Sequence, residues 1–494
     1  MKLSRLLEKV EFYNPYDVDL ESDIKKLTFD TRELSKNTLF IARKGLIVDT
    51  NKYIEDNLSD DNYYIADKNW KEKLPKGNIL FVDNTWDVQA RIANNFYNFP
   101  SKELKIIGVT GTNGKTTVTY MIDSILKRLG KNTGMIGTIA TVISDEIIPS
   151  HMTTHESIET QKILREMVNK EVEFVSMEVS SQALLEKRVE YTDFSVGIFT
   201  NLTQDHLDIH KDMESYFKAK SILFESISEK DINGNDNYII LNAHDEYSKR
   251  IEKISKAKAL YYGFNEDCDY RAINIKENKL STEFDLLYKD EKYHVKSNFI
   301  GEYNILNALA SIAACHVEGI DLESIIKVFI EIHAPEGRFQ IISDKSDDIT
   351  VIVDYAHTPD AIEETSNTII NNYGENLITV FGATGNRDKL KRPILGDLVC
   401  KYSKLAIITS DDNKSENPSD IFADMLRGLN HVNYTIIPNR IDAINYSILH
   451  AKKGDVILLA GRGHEDTFTF FGERQYFKDK DIALKAIEKR RKSK

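Results

Sequence analysis

Residues 106–117, Ile-Ile-Gly-Val-Thr-Gly-Thr-Asn-Gly-Lys-Thr-Thr, constrain this chain more than any other segment. An apolar run at 105–109 reads as a buried strand, and a helical pattern follows from 118 to 129. The glycine-rich turn between them ends in Gly114-Lys115-Thr116, which is the layout of a phosphate-binding loop. Backbone N–H groups of Gly111, Thr112, Asn113 and Gly114, with the helix start at Thr116 and Thr117, offer positive potential to a polyphosphate. Lys115 can reach the outer phosphates, and the Thr116 hydroxyl can ligate magnesium. The strict pattern places a glycine where Val109 stands; the glycines here are Gly108, Gly111 and Gly114. A lone Gly-Lys-Thr also occurs in ordinary turns, and it is the flanking strand and helix that favour a nucleotide.

At 494 residues the chain is too long for one core, and about two to four domains are expected. A net charge of −13 argues against general nucleic-acid binding, which needs a cationic face. No run approaches the roughly 18 apolar residues of a membrane span. The start, Met-Lys-Leu-Ser-Arg-Leu-Leu-Glu, has no signal-peptide core. Cys268, Cys315 and Cys400 are too scattered for a disulfide framework or a cysteine zinc site. A cytoplasmic, multidomain protein of enzyme size is expected.

Three blocks follow from the patterning. The first, 1–100, alternates short apolar runs (38–42, 63–66, 78–82) with polar turns and closes on a helical stretch at 88–99 and Pro100. The second, 101–333, opens with the phosphate loop and continues with strands at 174–179, 194–199 and 238–241, separated by helices. The third, 334–494, begins at the turn-rich Ala334-Pro335-Glu336-Gly337-Arg338 and has strands at 349–353, 377–381, 405–409 and 456–459. Such alternation predicts an α/β protein with two doubly wound, mostly parallel sheets. The basic end, 489–494, reads as a frayed helix.

Strand 174–179 ends in Glu178-Val179-Ser180-Ser181-Gln182. A carboxylate at the C-terminal edge of a parallel strand sits where such sheets bind ligands, so Glu178 is a candidate metal ligand; a capping glutamate is the alternative. The next strand runs into Thr200-Asn201-Leu202-Thr203-Gln204-Asp205-His206-Leu207-Asp208-Ile209-His210. Its two histidines and two aspartates invite zinc, but their spacing matches no common zinc motif and a site beside phosphates suits magnesium. Thr116, Glu178 and His206 together outline a cation-assisted phosphoryl site.

These motifs, in this order, resemble the Mur ligase family. The likeness extends through Gly301-Glu302-Tyr303-Asn304-Ile305-Leu306-Asn307, Glu336-Gly337-Arg338, Asp354-Tyr355-Ala356-His357-Thr358-Pro359-Asp360, Lys391-Arg392-Pro393 and Gly461-Arg462-Gly463-His464-Glu465. It covers nearly the whole chain and points to the branch that adds the third residue of the peptidoglycan stem peptide. The resemblance implies three domains: an N-terminal UDP-substrate domain, a central P-loop ATPase domain and a C-terminal Rossmann-like domain that takes the amino acid. It implies ATP-driven amide synthesis through an acyl phosphate, with magnesium. Lys115, His206 and Lys220 would be catalytic, and Thr116, Glu178, His206 and Lys220 would bear on the metal. Lys220 matches the lysine this family carries as a carbamate; from the residues alone it reads as a solvated helix position.

By the same likeness, Asn304, Arg338 and Asp354 contact ATP. Asp30-Thr31-Arg32, Lys44-Gly45 and Asp49 match the uridine-diphosphate site. Thr153, Thr154, Ser180, Glu186 and Arg188 match positions around UDP-N-acetylmuramoyl-L-alanyl-D-glutamate. Arg387, Asp411, Asp412, Asn413, Lys414, Gly461 and Glu465 match those around the incoming diamino acid. Departures occur: His155 stands for a proline, Glu186 for the usual glutamine, Asn386 for an aspartate and Thr50 for a glycine. Lys414 stands where diaminopimelate-adding members carry an arginine and lysine-adding members a small residue. One positive charge there favours a diamino dicarboxylic acid, diaminopimelate or an analogue such as lanthionine, over lysine. A folylpolyglutamate synthetase-like ligase and a nucleotide-switched binding module are the alternatives; the first lacks a block like 1–100 and the Asp354-to-Asp360 context, and the second would need no Lys220 with His206. A monomer is expected.

Overall fold

The computed structural model of the chain describes residues 1–44, 49–470 and 473–493. In it, the apolar run after Lys105 becomes the strand Lys105–Thr110, buried at every position beyond the first. It lies inside an 11-stranded sheet, hydrogen-bonded in parallel to Phe174–Glu178 on one side and Val196–Phe199 on the other. The register pairs Val109 with Glu178 and Thr110 with Phe199. Three strand ends therefore open onto one edge, where the phosphate loop and the Glu178 and Thr200 segments meet. The helix Lys115–Arg128 and the long apolar helix Glu302–Val317 cover one face, sharing a core of Val118, Ile122, Ile125, Leu309 and Ile312.

A four-stranded parallel sheet precedes this one, ordered Lys26–Thr28, Thr38–Ile41, Tyr63–Asp67 and Ile79–Val82. Its helix Thr85–Phe96 is capped by the Asn84 side chain, which accepts from the Trp86 N–H. Ile158 of the neighbouring helix Ser157–Asn169 joins the same core as Ile41, Leu80 and Ile92, so the first two sheets are tied by shared apolar packing. The third sheet has six strands, Gln340–Ile341, Thr350–Asp354, Val456–Ala460, Leu377–Phe381, Leu405–Ile408 and Tyr434–Ile436 in that order; only the first is antiparallel to its neighbour.

Two features differ from what the sequence predicts. The central sheet carries antiparallel wings, Ala140–Ile143 with Glu146–Pro149 at one end and Tyr270–Asn278, Ser281–Tyr288 and Glu291–Ser297 at the other. In Ser281–Tyr288 buried and half-buried residues alternate, as a strand with one covered face requires, and such strands join by hairpins without a crossover helix. The basic C-terminus, expected to fray, is helical from Asp479 to Lys492. Arg490 holds it down, donating to Asp348 Oδ2 at 2.9 Å and to the Ile448 carbonyl at 2.9 Å.

Candidate functional site

Gly111 and Gly114 shape the phosphate loop for steric reasons. A Cβ on Gly111 would lie 1.9 Å from Thr200 Oγ1, and Gly114, at φ +88°, starts the helix from the left-handed region. The loop borders a cavity of about 560 Å³ between the second and third sheets. Lys115 curls back, Nζ donating to the Gly111 carbonyl at 2.9 Å and the Thr112 carbonyl at 2.8 Å. Burial and Arg338 depress its pKa, while Glu178 and Asp205 oppose them. Asn113 and Thr117 line the cavity beside it.

Glu178 is 1% exposed, and its carboxylate collects three hydrogen bonds from two residues. Thr116 Oγ1 donates to its Oε2 at 3.0 Å, the Thr138 N–H to Oε1 at 2.8 Å and the Thr138 hydroxyl to Oε2 at 3.1 Å. The capping alternative therefore gives way to a carboxylate fixed against the loop. Thr138 had no signal in the sequence; it is found only because the turn after Thr133–Ile136 folds over Glu178. From the third body, Arg338 Nη2 donates to Thr116 Oγ1 at 2.9 Å.

Lys220 corrects its solvated reading. It sits on the helix Met213–Ser226, but its side chain points inward, 2% exposed, with Nζ donating to the Gly111 carbonyl at 2.7 Å and lying over the Tyr216 ring. Burial first, then the charge of Lys115, drives its pKa well below the ordinary lysine value, with Asp205 opposing. His206, at φ +54°, has Nε2 3.4 Å from Asp205 Oδ2. Burial, Lys220 and Lys115 hold this imidazole below its usual range, with Asp205 opposing. His210, the other histidine of the segment, turns away to Ser181 Oγ at 2.9 Å and stacks on Tyr216. Among the described residues no group of three or more His, Cys, Asp or Glu is placed to hold a metal. What the loop does present is a hydroxyl beside a buried carboxylate, the hard oxygen set that suits magnesium when phosphate oxygens and water complete the shell.

Asn304 faces the cavity from the helix Glu302–Val317, its amide donating to the Ile300 carbonyl at 2.8 Å. Asp354, at the end of its strand, accepts from the Phe339 N–H at 2.6 Å and the Ala356 N–H at 2.8 Å. Thr153, Thr154, Ser180 and Arg188 line another wall: the Thr154 hydroxyl donates to the Glu178 carbonyl at 2.9 Å, and Arg188 Nη1 to the Thr154 carbonyl at 3.0 Å. Glu186 stands behind that wall, paired with Arg188. Thr31 belongs to the first sheet's body and is not part of this lining; nor are Asp30 and Arg32, which pair with each other. Lys44 and Asp49 form a β-bridge, and Gly45 lies outside the described residues.

The third body contributes Arg387, Asp412, Lys414, Gly461 and Glu465 to the lining. Burial and Arg387 lower the pKa of Lys414, which marks two cations sharing a confined space. Burial and Asp411 raise that of Glu465, against Arg462. Asp411 and Asn413 stand behind them. Asp411 receives Arg462 Nη1 at 2.6 Å, and the fully buried Asn413 donates to the Glu416 carbonyl at 2.7 Å. Two further residues come to the fore only through folding. His357 lines the cavity with Nδ1 2.7 Å from the Tyr355 carbonyl, and Lys391 crosses from the third body to Asp205.

Fold and site define a three-body α/β protein whose phosphate loop faces a charged wall carried by a separate sheet. Comparison with known proteins gives the family. Residues 109–315 match the Mur ligase middle domain, and residues 337–463 match the Mur ligase glutamate ligase domain. The UDP-N-acetylmuramoyl-L-alanyl-D-glutamate–2,6-diaminopimelate ligase 1 of Clostridium acetobutylicum is 41% identical over 490 residues, 99% of each chain. The ligase of the same activity name from Clostridium botulinum is 37% identical over 492 residues, 99% of this chain and 100% of its own. A solved structure of a protein of that activity name superposes with a TM-score of 0.69 at 26% identity, covering 99% of each chain. The chain belongs to the Mur ligase family, and its architecture is the three-domain one of that family.

Proposed function

We propose that this protein is an ATP-dependent ligase joining the D-glutamate of UDP-N-acetylmuramoyl-L-alanyl-D-glutamate to meso-diaminopimelate, with release of ADP and phosphate. The observation that carries this is the convergence at Thr116. The loop hydroxyl is bonded to Glu178 of its own sheet and to Arg338 of the next, in the cavity that also holds Arg387 and Lys414. The near-full-length similarity to ligases named for this reaction supports it.

The side-chain carboxylate of the D-glutamate attacks the γ-phosphorus of ATP, the bond to the bridging oxygen breaks, and ADP leaves. The amine of the incoming amino acid then attacks the acyl carbon, phosphate departs and the amine loses a proton. Bringing a carboxylate to a triphosphate demands neutralisation of charge, and Lys115 and Arg338 supply two cations at the loop. Magnesium, when bound, supplies more; Thr116 and Glu178 would hold one ion, and Glu178, His206 and Lys220 would bear on a second. A neutral Lys220 amine can add carbon dioxide, losing a proton to give a carbamate, which turns a repelling cation into an anion. Asn304 and Asp354 serve the adenosine, and Thr31, Thr153, Thr154, Ser180 and Arg188 the UDP-substrate, with Glu186 paired to Arg188 behind that wall. Glu465 and Asp412 offer negative charge to the ammonium groups of the amino acid, and Lys414 with Arg387 takes its distant carboxylate. Units of 1–100, 101–333 and 334–494, a monomeric state and a cytoplasmic location complete the reading; among the described residues no helix is long and apolar enough to cross a membrane.

The test is product mass. Purified protein given ATP, magnesium, the UDP-dipeptide and single candidate amino acids should yield the diaminopimelate adduct in preference to any other. A lysine adduct alone, or no adduct with ATP consumed, would overturn the reading.

A further inference from the structure

The Arg188 wall carries a feature that the reaction does not call for. Arg188 Nη2 meets two carboxylates at once, Glu186 Oε2 in a short contact and Glu156 Oε1 at 3.4 Å, while Nη1 is spent on the Thr154 carbonyl. Glu156 is itself held by Arg43 of the first body, Nη1 to Oε2 at 2.5 Å, and that guanidinium lies over the rings of Phe29 and Trp86. Glu186 is anchored from its other side, Oε1 accepting from Gln182 Nε2 at 2.9 Å. The group thus contains two arginines and two glutamates, and its charge is balanced before any ligand arrives.

Arg188 nevertheless lines the cavity, on the wall formed by Thr154 and Ser180. On the proposed function, which this inference rests on, the D-glutamate brings two carboxylates. One reacts at the phosphate loop and the other must be held nearby. An anion reaching Arg188 while Glu186 stays in place would leave three carboxylates on two guanidiniums in a confined space, which is strongly unfavourable. Glu156, with 12% side-chain exposure and clamped by Arg43, is the poorer candidate to leave; Glu186, with 25%, is tethered only by a neutral amide and by Arg188 itself.

We infer that Glu186 is an internal stand-in for the substrate's non-reacting carboxylate: it occupies the Arg188 fork in the free protein and must swing out for the UDP-dipeptide to bind. Glu186 then sets affinity by competition, and it lowers the advantage of a carboxylate over a neutral carboxamide at that position of the ligand.

A competitor and a positioning residue give opposite signs on removal. Calorimetric titration of the intact protein with UDP-N-acetylmuramoyl-L-alanyl-D-glutamate, without ATP, should show tighter binding for Glu186→Gln and for Glu186→Ala. If the internal pair closes the fork nine times in ten, the gain is about tenfold. The gain should vanish in the double variant Glu186→Gln with Arg188→Met. The preference for the dipeptide over its analogue with a carboxamide at the non-reacting carboxylate should widen in Glu186→Gln. Weaker or unchanged binding in both single variants would overturn the inference while leaving the proposed function standing. A wild type that neither binds nor converts the UDP-dipeptide would overturn both.

Discussion

Lys391 of the third body places its Nζ 2.9 Å from Oδ1 of Asp205 in the second, both side chains being largely buried. Burial opposes ionisation of Asp205, yet His206, Lys391 and His357 outweigh it and hold the carboxyl below the ordinary aspartate range. The same junction carries Arg338 on Thr116, the Thr358 hydroxyl 3.3 Å from Asn113 Oδ1 and the Asn113 amide 3.4 Å from Asp360. Three of these four links touch the phosphate loop itself. Closure of the third body and readiness of the loop are thus one arrangement.

Removing one partner of such a buried pair strands the other. Lys391→Met is therefore expected to open the junction, giving a larger radius of gyration by small-angle scattering without ligands, with ATP and the UDP-substrate restoring part of the compaction. Superimposable scattering curves for wild type and variant would show that the ion pair does not hold the bodies together.

Lys115→Ala should leave the fold unchanged and reduce turnover by roughly 10²–10³-fold or more, since it removes charge from the transferred phosphate and no apolar packing. Circular dichroism and a coupled ADP assay decide it; near-normal turnover in a folded variant refutes the ATP assignment.

Lys220→Ala should lose activity and recover part of it with added formate or acetate, which can occupy the place of a carbamate. A mass spectrum and density of the native enzyme with magnesium and nucleotide that display a free amine at Lys220 would contradict the carbamate.

On the proposed function, Lys414→Ala should remove one charge-assisted hydrogen bond to the distal carboxylate, worth about 1.5–3 kcal/mol. At about 1.4 kcal/mol per tenfold, the preference for diaminopimelate over lysine should fall roughly 10- to 150-fold. Competition between the two amino acids, read by product mass, gives the ratio directly; an unmoved ratio places specificity elsewhere.

Glu364, in the cavity wall, has its carboxyl pushed up to about 8 by burial and by Asp360, Glu302 and Glu363. Its folded pKa exceeds the unfolded value of 4.5. Below that value both states are protonated and it contributes nothing; between the two, unfolding gains an ionisation, so stability is lost as pH rises towards 8 and stays lost above it. Glu364→Gln should accordingly match wild type in thermal denaturation at pH 4.5 and melt several degrees higher at pH 8.5. Equal melting temperatures at the higher pH would exclude a neutral buried carboxyl.

What the sequence determined by itself is local in origin. The strand, glycine turn and helix of the phosphate loop were legible because a polyphosphate cradle needs contiguous backbone and a lysine at a set offset. Glu178 and His206 were legible because the first ends an apolar strand and the second lies on the loop that follows one, and strand ends of a parallel sheet meet at one edge whatever the rest of the chain does. Folding decided what depends on neighbours far apart in the chain. Lys220 looks like any surface lysine of an amphipathic helix until the Gly111 carbonyl, 109 residues away, accepts its hydrogen bond. Thr138 becomes a support for Glu178, Asp411 and Asn413 withdraw behind the cavity, and Glu186 closes on Arg188 for the same reason. Burial, charge balance and hydrogen-bond partners are properties of the packed neighbourhood, and no window of sequence contains that neighbourhood.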